Sequence, residues 1–174
     1  MDATSYDLIF KSCCWCLLQA SIDPAVATTG AHEYAVVELP TVLQSYGGIS
    51  TTMSVNDPTI QDPSQEFSLS QVWVVAGSYS DSSINTAEVG WQVYPAQHPN
   101  DNDLAPHLFI YWTSDAYRTT GCYNLGCSGF VQTDNSWVLG GTFTNYTTLA
   151  ANDNYELEFE VTNHPHILLL FTHA

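Results

Sequence analysis

Apolar and charged residues alternate without a break in the segment from residue 155 to residue 161. The apolar positions are Tyr155, Leu157, Phe159 and Val161, and the charged ones are Glu156, Glu158 and Glu160. Successive side chains of a β-strand point to opposite faces of its sheet, so this order predicts a strand with one face in an apolar core and the other in water. A helix would need apolar residues three or four positions apart, and the segment lacks that period.

A second strand of the same period is predicted for residues 86–94. Val89, Trp91 and Val93 lie on its apolar face, and Glu88, Gly90, Gln92 and Tyr94 lie on the opposite face. From about residue 31 onward, short runs of this kind are separated by Gly, Pro, Asn and Asp, and no long stretch has a helical period. The sequence therefore predicts an all-β fold, an antiparallel β-sandwich.

The charge of the chain restricts its partners. Lys11 and Arg118 are the two basic residues against 18 carboxylates, and the net charge at pH 7 is −16. Nucleic acid and anionic membrane surfaces would be repelled, and no apolar run is long enough to span a membrane. Near about pH 3 most carboxylates would be protonated and the histidines charged, which suits an acidic medium. The ordinary acidity of a secreted protein is the alternative explanation.

The chain is long enough for one domain with a substantial core, because 45% of its 174 residues are apolar. We place that domain at residues 30–162 and leave residues 1–29 outside it. Residues 25–27 have the small-x-small form of a signal-peptidase site, but Asp2 and Asp7 spoil the positive region that a signal peptide needs. An incorrect start, or the ragged end of a fragment, explains this segment equally well.

Two cysteines, Cys122 and Cys127, bracket a short loop of turn-forming residues. An oxidised pair is sterically allowed there and would indicate an oxidising compartment. Two reduced cysteines or two metal ligands are the alternatives, but no second ligand pair stands nearby at a matching spacing, which favours a disulfide over a zinc site. Asn145 begins an N-glycosylation sequon with Thr147, which also agrees with secretion.

Glu88 is the strongest candidate for chemistry. It shares the polar face of its predicted strand with Gln92, at a Cβ separation of roughly 13 Å that rules out direct contact. If this face lines a cleft, Glu88 beside Tyr94 would act as a general base for water, and Gly90 would leave room for a substrate backbone. The alternative is a solvated glutamate on a half-buried sheet, which needs no function.

Three segments of the chain follow one another in a family-specific order. They are Glu88-Val-Gly-Trp-Gln-Val-Tyr-Pro95, then Tyr111-Trp-Thr-Ser-Asp-Ala-Tyr117, then Gly121-Cys-Tyr-Asn124 continued by Cys127-Ser-Gly-Phe-Val-Gln132. In these motifs the chain resembles the neprosin family, and the resemblance covers about residues 30–162.

The resemblance implies a secreted β-sandwich endopeptidase that is active in acid and works with a pair of glutamates. It implies proline-containing peptides or proteins as substrates, cleavage next to proline, and no metal or organic cofactor. Glu88 matches the first glutamate of the pair. The positions that match cleft-forming neighbours are Gln92, Trp91, Tyr94 and Tyr111, although Trp91 falls on the apolar face of its strand, where core packing is the commoner role.

The chain departs from the family after Val161. The family carries its second glutamate downstream in a Trp-Gly-Gly-Glu strand, and this motif is absent from the sequence. Residues 163–174 look like an unrelated tail, so we expect a domain truncated at its C-terminus and an incomplete sandwich with exposed apolar edges. The three glutamates of residues 156–160 repel one another on a solvated face and are not expected to replace the missing one. The histidines of the tail are not expected to bind metal.

Two functions of different classes therefore remain open. One is a glutamic endopeptidase whose catalytic pair is broken in this chain. The other is a non-catalytic β-sandwich module that holds peptides or glycans, and a gene-model fragment without an independent role is a third possibility. The missing second glutamate weighs against hydrolysis but not against binding.

Overall fold

A computed structural model describes residues 6–13, 35–39, 48–64, 66–78, 80–100, 104–147, 154–163 and 167–173. These residues contain strands and loops but no helix. The strands are β1 (Tyr6–Cys13), β2 (Ala35–Leu39), β3 (Gly48–Ser54), β4 (Ser68–Ala76), β5 (Asn85–Val93), β6 (His107–Thr113), β7 (Cys122–Tyr123), β8 (Glu156–Asn163) and β9 (Ile167–His173).

The strands form two separate sheets. Six of them make one sheet in the order β2-β1-β4-β5-β6-β7, and three make the other in the order β3-β8-β9. Every pair of neighbouring strands runs antiparallel. In the centre of the larger sheet, Glu88 of β5 lies opposite Trp73 of β4 on one side and opposite Tyr111 of β6 on the other.

The apolar faces of the two sheets pack against each other and form the main core. Val89, Trp91 and Val93 of β5 belong to the same buried cluster as Leu157, Phe159 and Val161 of β8. Trp91 also ties the sheets together directly, because its indole N–H donates to the backbone oxygen of Ser54 at 2.8 Å. Loss of a buried side chain of this size costs about 3–5 kcal/mol. The predicted antiparallel β-sandwich is confirmed.

The predicted alternation is confirmed from residue 156 onward, whereas Tyr155, which was expected on the apolar face, lies just before β8 and is 37% exposed. Leu157, Phe159 and Val161 are buried, whereas Glu156, Glu158 and Glu160 are exposed on the outer face of the smaller sheet. This separation places the three glutamates on a different sheet from Glu88.

The two segments that flank the predicted domain each contribute a strand. β1 pairs with β2 and β4 inside the larger sheet, and β9 pairs with β8 in the smaller one. Both strands come from segments that were predicted to lie outside the domain. Strands pair through backbone hydrogen bonds, which do not require apolar and polar residues to alternate. The domain limits at residues 30 and 162 stay a prediction. The signal-peptidase-like residues 25–27 and the tail histidines at 164 and 166 lie outside the described residues.

Candidate functional site

The face of the larger sheet that points away from the second sheet carries polar and aromatic residues in its centre. Directly opposite partners in antiparallel strands share a face, so the register defines this set. We call it the Glu88 face, and its members are Leu69, Gln71, Trp73 and Val75 of β4, Thr86, Glu88, Gly90 and Gln92 of β5, and His107, Phe109, Tyr111 and Thr113 of β6.

Glu88 is a buried and hydrogen-bonded carboxylate. Its side chain is 6% exposed, and its Oε1 atom accepts one hydrogen bond from Thr86 Oγ1 at 2.8 Å and another from the hydroxyl of Tyr117 at 2.7 Å. Burial of a carboxylate is costly unless donors compensate for lost water, and these two hydroxyls supply part of that compensation. The alternative of a solvated strand glutamate therefore does not apply to Glu88.

Three tyrosines, Tyr111, Tyr117 and Tyr123, lie near this carboxylate. Tyr111 lies opposite Glu88, and its ring contacts those of Tyr117 and Tyr123 at centroid distances of 5.9 and 4.9 Å. Tyr94 extends the group through Tyr123 at 6.5 Å. We call these four residues the tyrosine cluster. Burial, with the charge of Glu88 adding to it, raises the pKa of both Tyr111 and Tyr123. Their hydroxyls therefore stay protonated in acidic and neutral solution and can act as donors.

A tight loop after β6 presents Tyr117 to Glu88. Ala116 and Tyr117 both have left-handed backbone conformations, with φ of 56° and 62°, which is costly for residues other than glycine. The carboxylate of Asp115 stabilises the loop by accepting bonds from the backbone N–H groups of Thr119 and Thr120 and from both of their hydroxyls.

The same hydrogen bonds determine the charge of Asp115. They hold the pKa of this carboxyl well below its usual range, with the Thr119 hydroxyl as the largest cause. Asp115 therefore stays ionised in acid and is unsuited to donate a proton. Its charge contributes to the raised pKa of Tyr111, which places it within electrostatic reach of the tyrosine cluster.

The structure brings most of the predicted site residues onto one face. Gln92 is 1% exposed on the Glu88 face, and Tyr94 and Tyr111 belong to the tyrosine cluster. Trp91 is the exception, because it points into the core on the opposite face and does not share the Glu88 face.

Gly90 has a different role from the one expected. A Cβ atom at this position would lie 2.0 Å from the backbone oxygen of Ser70, so the absence of a side chain is needed for β4 to approach β5. The space that was expected to admit a substrate backbone is occupied by the neighbouring strand.

Sequence reasoning missed four residues of this site. Thr86 was detectable, because it lies two positions before Glu88 on the same strand face. Gln71 and Tyr123 required the pairing register, since Gln71 faces Gly90 and Tyr123 faces Tyr111. Tyr117 lies inside a quoted motif, but its contact with Glu88 depends on the left-handed turn.

The predicted disulfide between Cys122 and Cys127 is confirmed, with Cα atoms 6.0 Å apart. It lies in and just after β7, the strand that carries Tyr123. Asn145 is exposed, as a glycosylation site must be. In the described ranges, no group of three or more His, Cys, Asp or Glu side chains could hold a metal ion. Likewise, no helix there is long and apolar enough to cross a membrane.

The fold and site define a β-sandwich protein with a buried glutamate beside tyrosines on one sheet face. The chain belongs to the neprosin family, because the family model Neprosin matches residues 64–168, more than half of its length. The match includes Glu88, the tyrosine cluster and both disulfide cysteines, and it extends beyond residue 162. Membership of this family indicates a peptidase-related role with peptide substrates.

Proposed function

We propose that Glu88 is one of two catalytic glutamates of a secreted, acid-active endopeptidase that cleaves next to proline. The observation that carries the proposal is the burial of Glu88 among hydroxyl donors, on a sheet face that lies within the matched family range. A surface carboxylate would need no such surroundings.

In this role an ionised Glu88 takes a proton from a water molecule, which attacks the carbonyl carbon of the scissile bond. Thr86 and Tyr117 both donate to the same oxygen and so fix the orientation of the carboxylate. The second, protonated glutamate donates to the developing oxyanion and then to the leaving nitrogen. One proton shared by two carboxylates gives an acidic optimum, because neither the doubly ionised nor the doubly protonated pair can work.

The second glutamate would come from the downstream family motif, which these 174 residues do not contain. Asp115 is a poor substitute because its hydrogen bonds hold it in the ionised form. The exposed glutamates of β8 lie on the outer face of the other sheet. We therefore expect this chain by itself to hold peptides at Glu88 more readily than it cleaves them.

Secretion is supported by two features. The Cys122–Cys127 disulfide is of the kind that forms and persists in oxidising compartments. The exposed Asn145 of the sequon agrees with this location.

The second candidate function is a non-catalytic module that binds peptides or glycans. It is favoured by the tyrosine cluster, because aromatic rings with hydroxyl donors suit either ligand. It shares the Glu88 face with the peptidase proposal and differs from it in requiring no hydrolysis.

Proteolysis of a proline-rich unfolded protein at about pH 3, where a carboxylate pair sharing one proton works, separates the two candidates. The wild type is compared with Glu88→Gln and with Glu160→Gln, which removes an exposed carboxylate from the other sheet. Cleavage next to proline that is lost only in Glu88→Gln supports the peptidase. Binding of the protein without cleavage by all three chains shows that these 174 residues alone act as the binding module, as the missing second glutamate predicts. Cleavage by Glu88→Gln at the wild-type rate excludes the proposed role of Glu88.

A further inference from the structure

We propose that Gln71 and Gln92 form a subsite that accepts hydrogen bonds from backbone N–H groups of an extended peptide lying along β5. The inference rests on the proposed function, since it takes the Glu88 face as the place where peptides bind. Gln71 is 4% exposed and Gln92 is 1% exposed. Among the residues that the structure describes, the Oε1 atom of neither side chain finds a hydrogen-bond donor.

Such unpaired oxygens are costly for the fold. A buried acceptor that has left water without gaining a donor destabilises a protein, and most buried polar groups are therefore paired. Two of them occur here on one sheet face, beside the candidate catalytic carboxylate. An apolar side chain of similar length would fill either position without this cost. A ligand that supplies the donors explains why amides occupy both positions.

The register places the two amides at a useful spacing. Gln71 lies directly opposite Gly90, so it is the diagonal neighbour of both Glu88 and Gln92. Diagonal neighbours on one sheet face are about 7–8 Å apart. In an extended peptide, N–H groups on the same edge recur at every second residue, about 6.7 Å apart. Two alternate N–H groups of one strand-like peptide therefore match the two oxygens.

This arrangement also limits where a proline can be bound. If the scissile bond lies at Glu88, the N–H groups that donate to Gln71 and Gln92 belong to peptide residues about two and four positions from that bond. Proline has no N–H and would leave one of the oxygens unpaired. The subsite is therefore expected to reject proline at these two positions and to tolerate it at the position between them.

The test measures peptide affinity and thermal stability for Gln71→Met, Gln92→Met and the exposed control Gln61→Met. The probe is a fluorescein-labelled decapeptide with a central proline. It is also prepared in versions in which one backbone N–H at a time is replaced by an ester oxygen.

We expect Gln71→Met and Gln92→Met to keep or raise the melting temperature while binding the probe about five- to tenfold more weakly, the value of one lost hydrogen bond. The ester that removes the N–H bound by one glutamine should weaken binding to the wild type by a similar factor. The same ester should hardly change binding to the variant that lacks that glutamine. Gln61→Met should resemble the wild type in both measurements.

Wild-type affinity in both methionine variants would overturn the subsite and leave the proposed function standing. The subsite would also be overturned if the ester substitutions weakened binding equally in the wild type and in the variants. This comparison holds even if a variant is less stable than the wild type. Absence of probe binding to the wild type would instead overturn the proposed function itself, and the subsite with it.

Discussion

The hydroxyl of Tyr117 donates a 2.7 Å hydrogen bond to Oε1 of Glu88, and so joins residues of two family motifs that are 29 positions apart in the sequence. The donor is delivered by a loop whose left-handed residues are tolerated because Asp115 satisfies the backbone N–H groups that follow. Glu88 is thus oriented by a loop as well as by its own strand.

Removal of this hydroxyl should destabilise the domain measurably. In Tyr117→Phe the ring can still stack on Tyr111, but the hydrogen bond to a buried carboxylate is lost. We expect the free energy of unfolding to fall by about 1 kcal/mol. The loss is limited because Tyr117 is 38% exposed, so water can partly replace the hydroxyl as a donor to Glu88. Denaturant titration measures the change. Tyr155→Phe, at a similarly exposed tyrosine just before β8, serves as the control and should have little effect.

Ionisation of Asp115 should make the stability of the loop depend on pH. Its pKa is lowered in the folded protein relative to about 3.9 in the unfolded chain, so the carboxylate stabilises the fold above that pH. This contribution declines as the pH falls below about 4, because only the unfolded chain then takes up the proton. Asp115→Asn should therefore lower the melting temperature at neutral pH and lower it less near about pH 2.

Calorimetry of Asp115→Asn across this pH range checks the sign of the effect. Glu160→Gln controls for the removal of one negative charge from a chain with a net charge of −16. A gap between Asp115→Asn and the wild type that stays constant from neutral to acidic pH would contradict the assignment.

The sequence predicted the strands better than the site. Alternation alone identified which faces of β5 and β8 enter the core, because period two is a direct consequence of strand geometry. It also placed Glu88, Gln92 and Tyr94 on one face. Alternation could not place Gln71 in the site, because its position opposite Gly90 depends on the register between β4 and β5. It also failed for Tyr117, whose direction depends on two left-handed residues that no periodic pattern signals.

Gly90 offers a test of the central strand pairing. Gly90→Ala would place a methyl group 2.0 Å from the backbone oxygen of Ser70, and the rigid backbone of β4 cannot yield as a side chain would. We expect a loss of about 3 kcal/mol or more in the free energy of unfolding. Gly126→Ala is the matched control, because its new methyl group would lie 3.0 Å from the nearest atom, the backbone oxygen of Tyr123. Similar unfolding curves for the two variants would contradict the described register.

Affinity labelling of Glu88 tests most directly the claim that this carboxylate meets a bound peptide. A decapeptide with an epoxide beside its central proline is incubated with the protein at about pH 4, near the ordinary pKa of a glutamate. An ionised carboxylate in reach attacks an epoxide carbon, the ring carbon–oxygen bond breaks, and the released oxygen takes a proton to leave a hydroxy ester. Mass spectrometry of the digested protein locates the ester.

If solvent exposure alone determined labelling, the epoxide would modify the exposed glutamates of β8 rather than the buried Glu88. We therefore predict a label on Glu88 that is suppressed by excess unlabelled peptide and is absent from Glu88→Gln. A label confined to Glu156, Glu158 and Glu160, with Glu88 unmodified, would contradict the account.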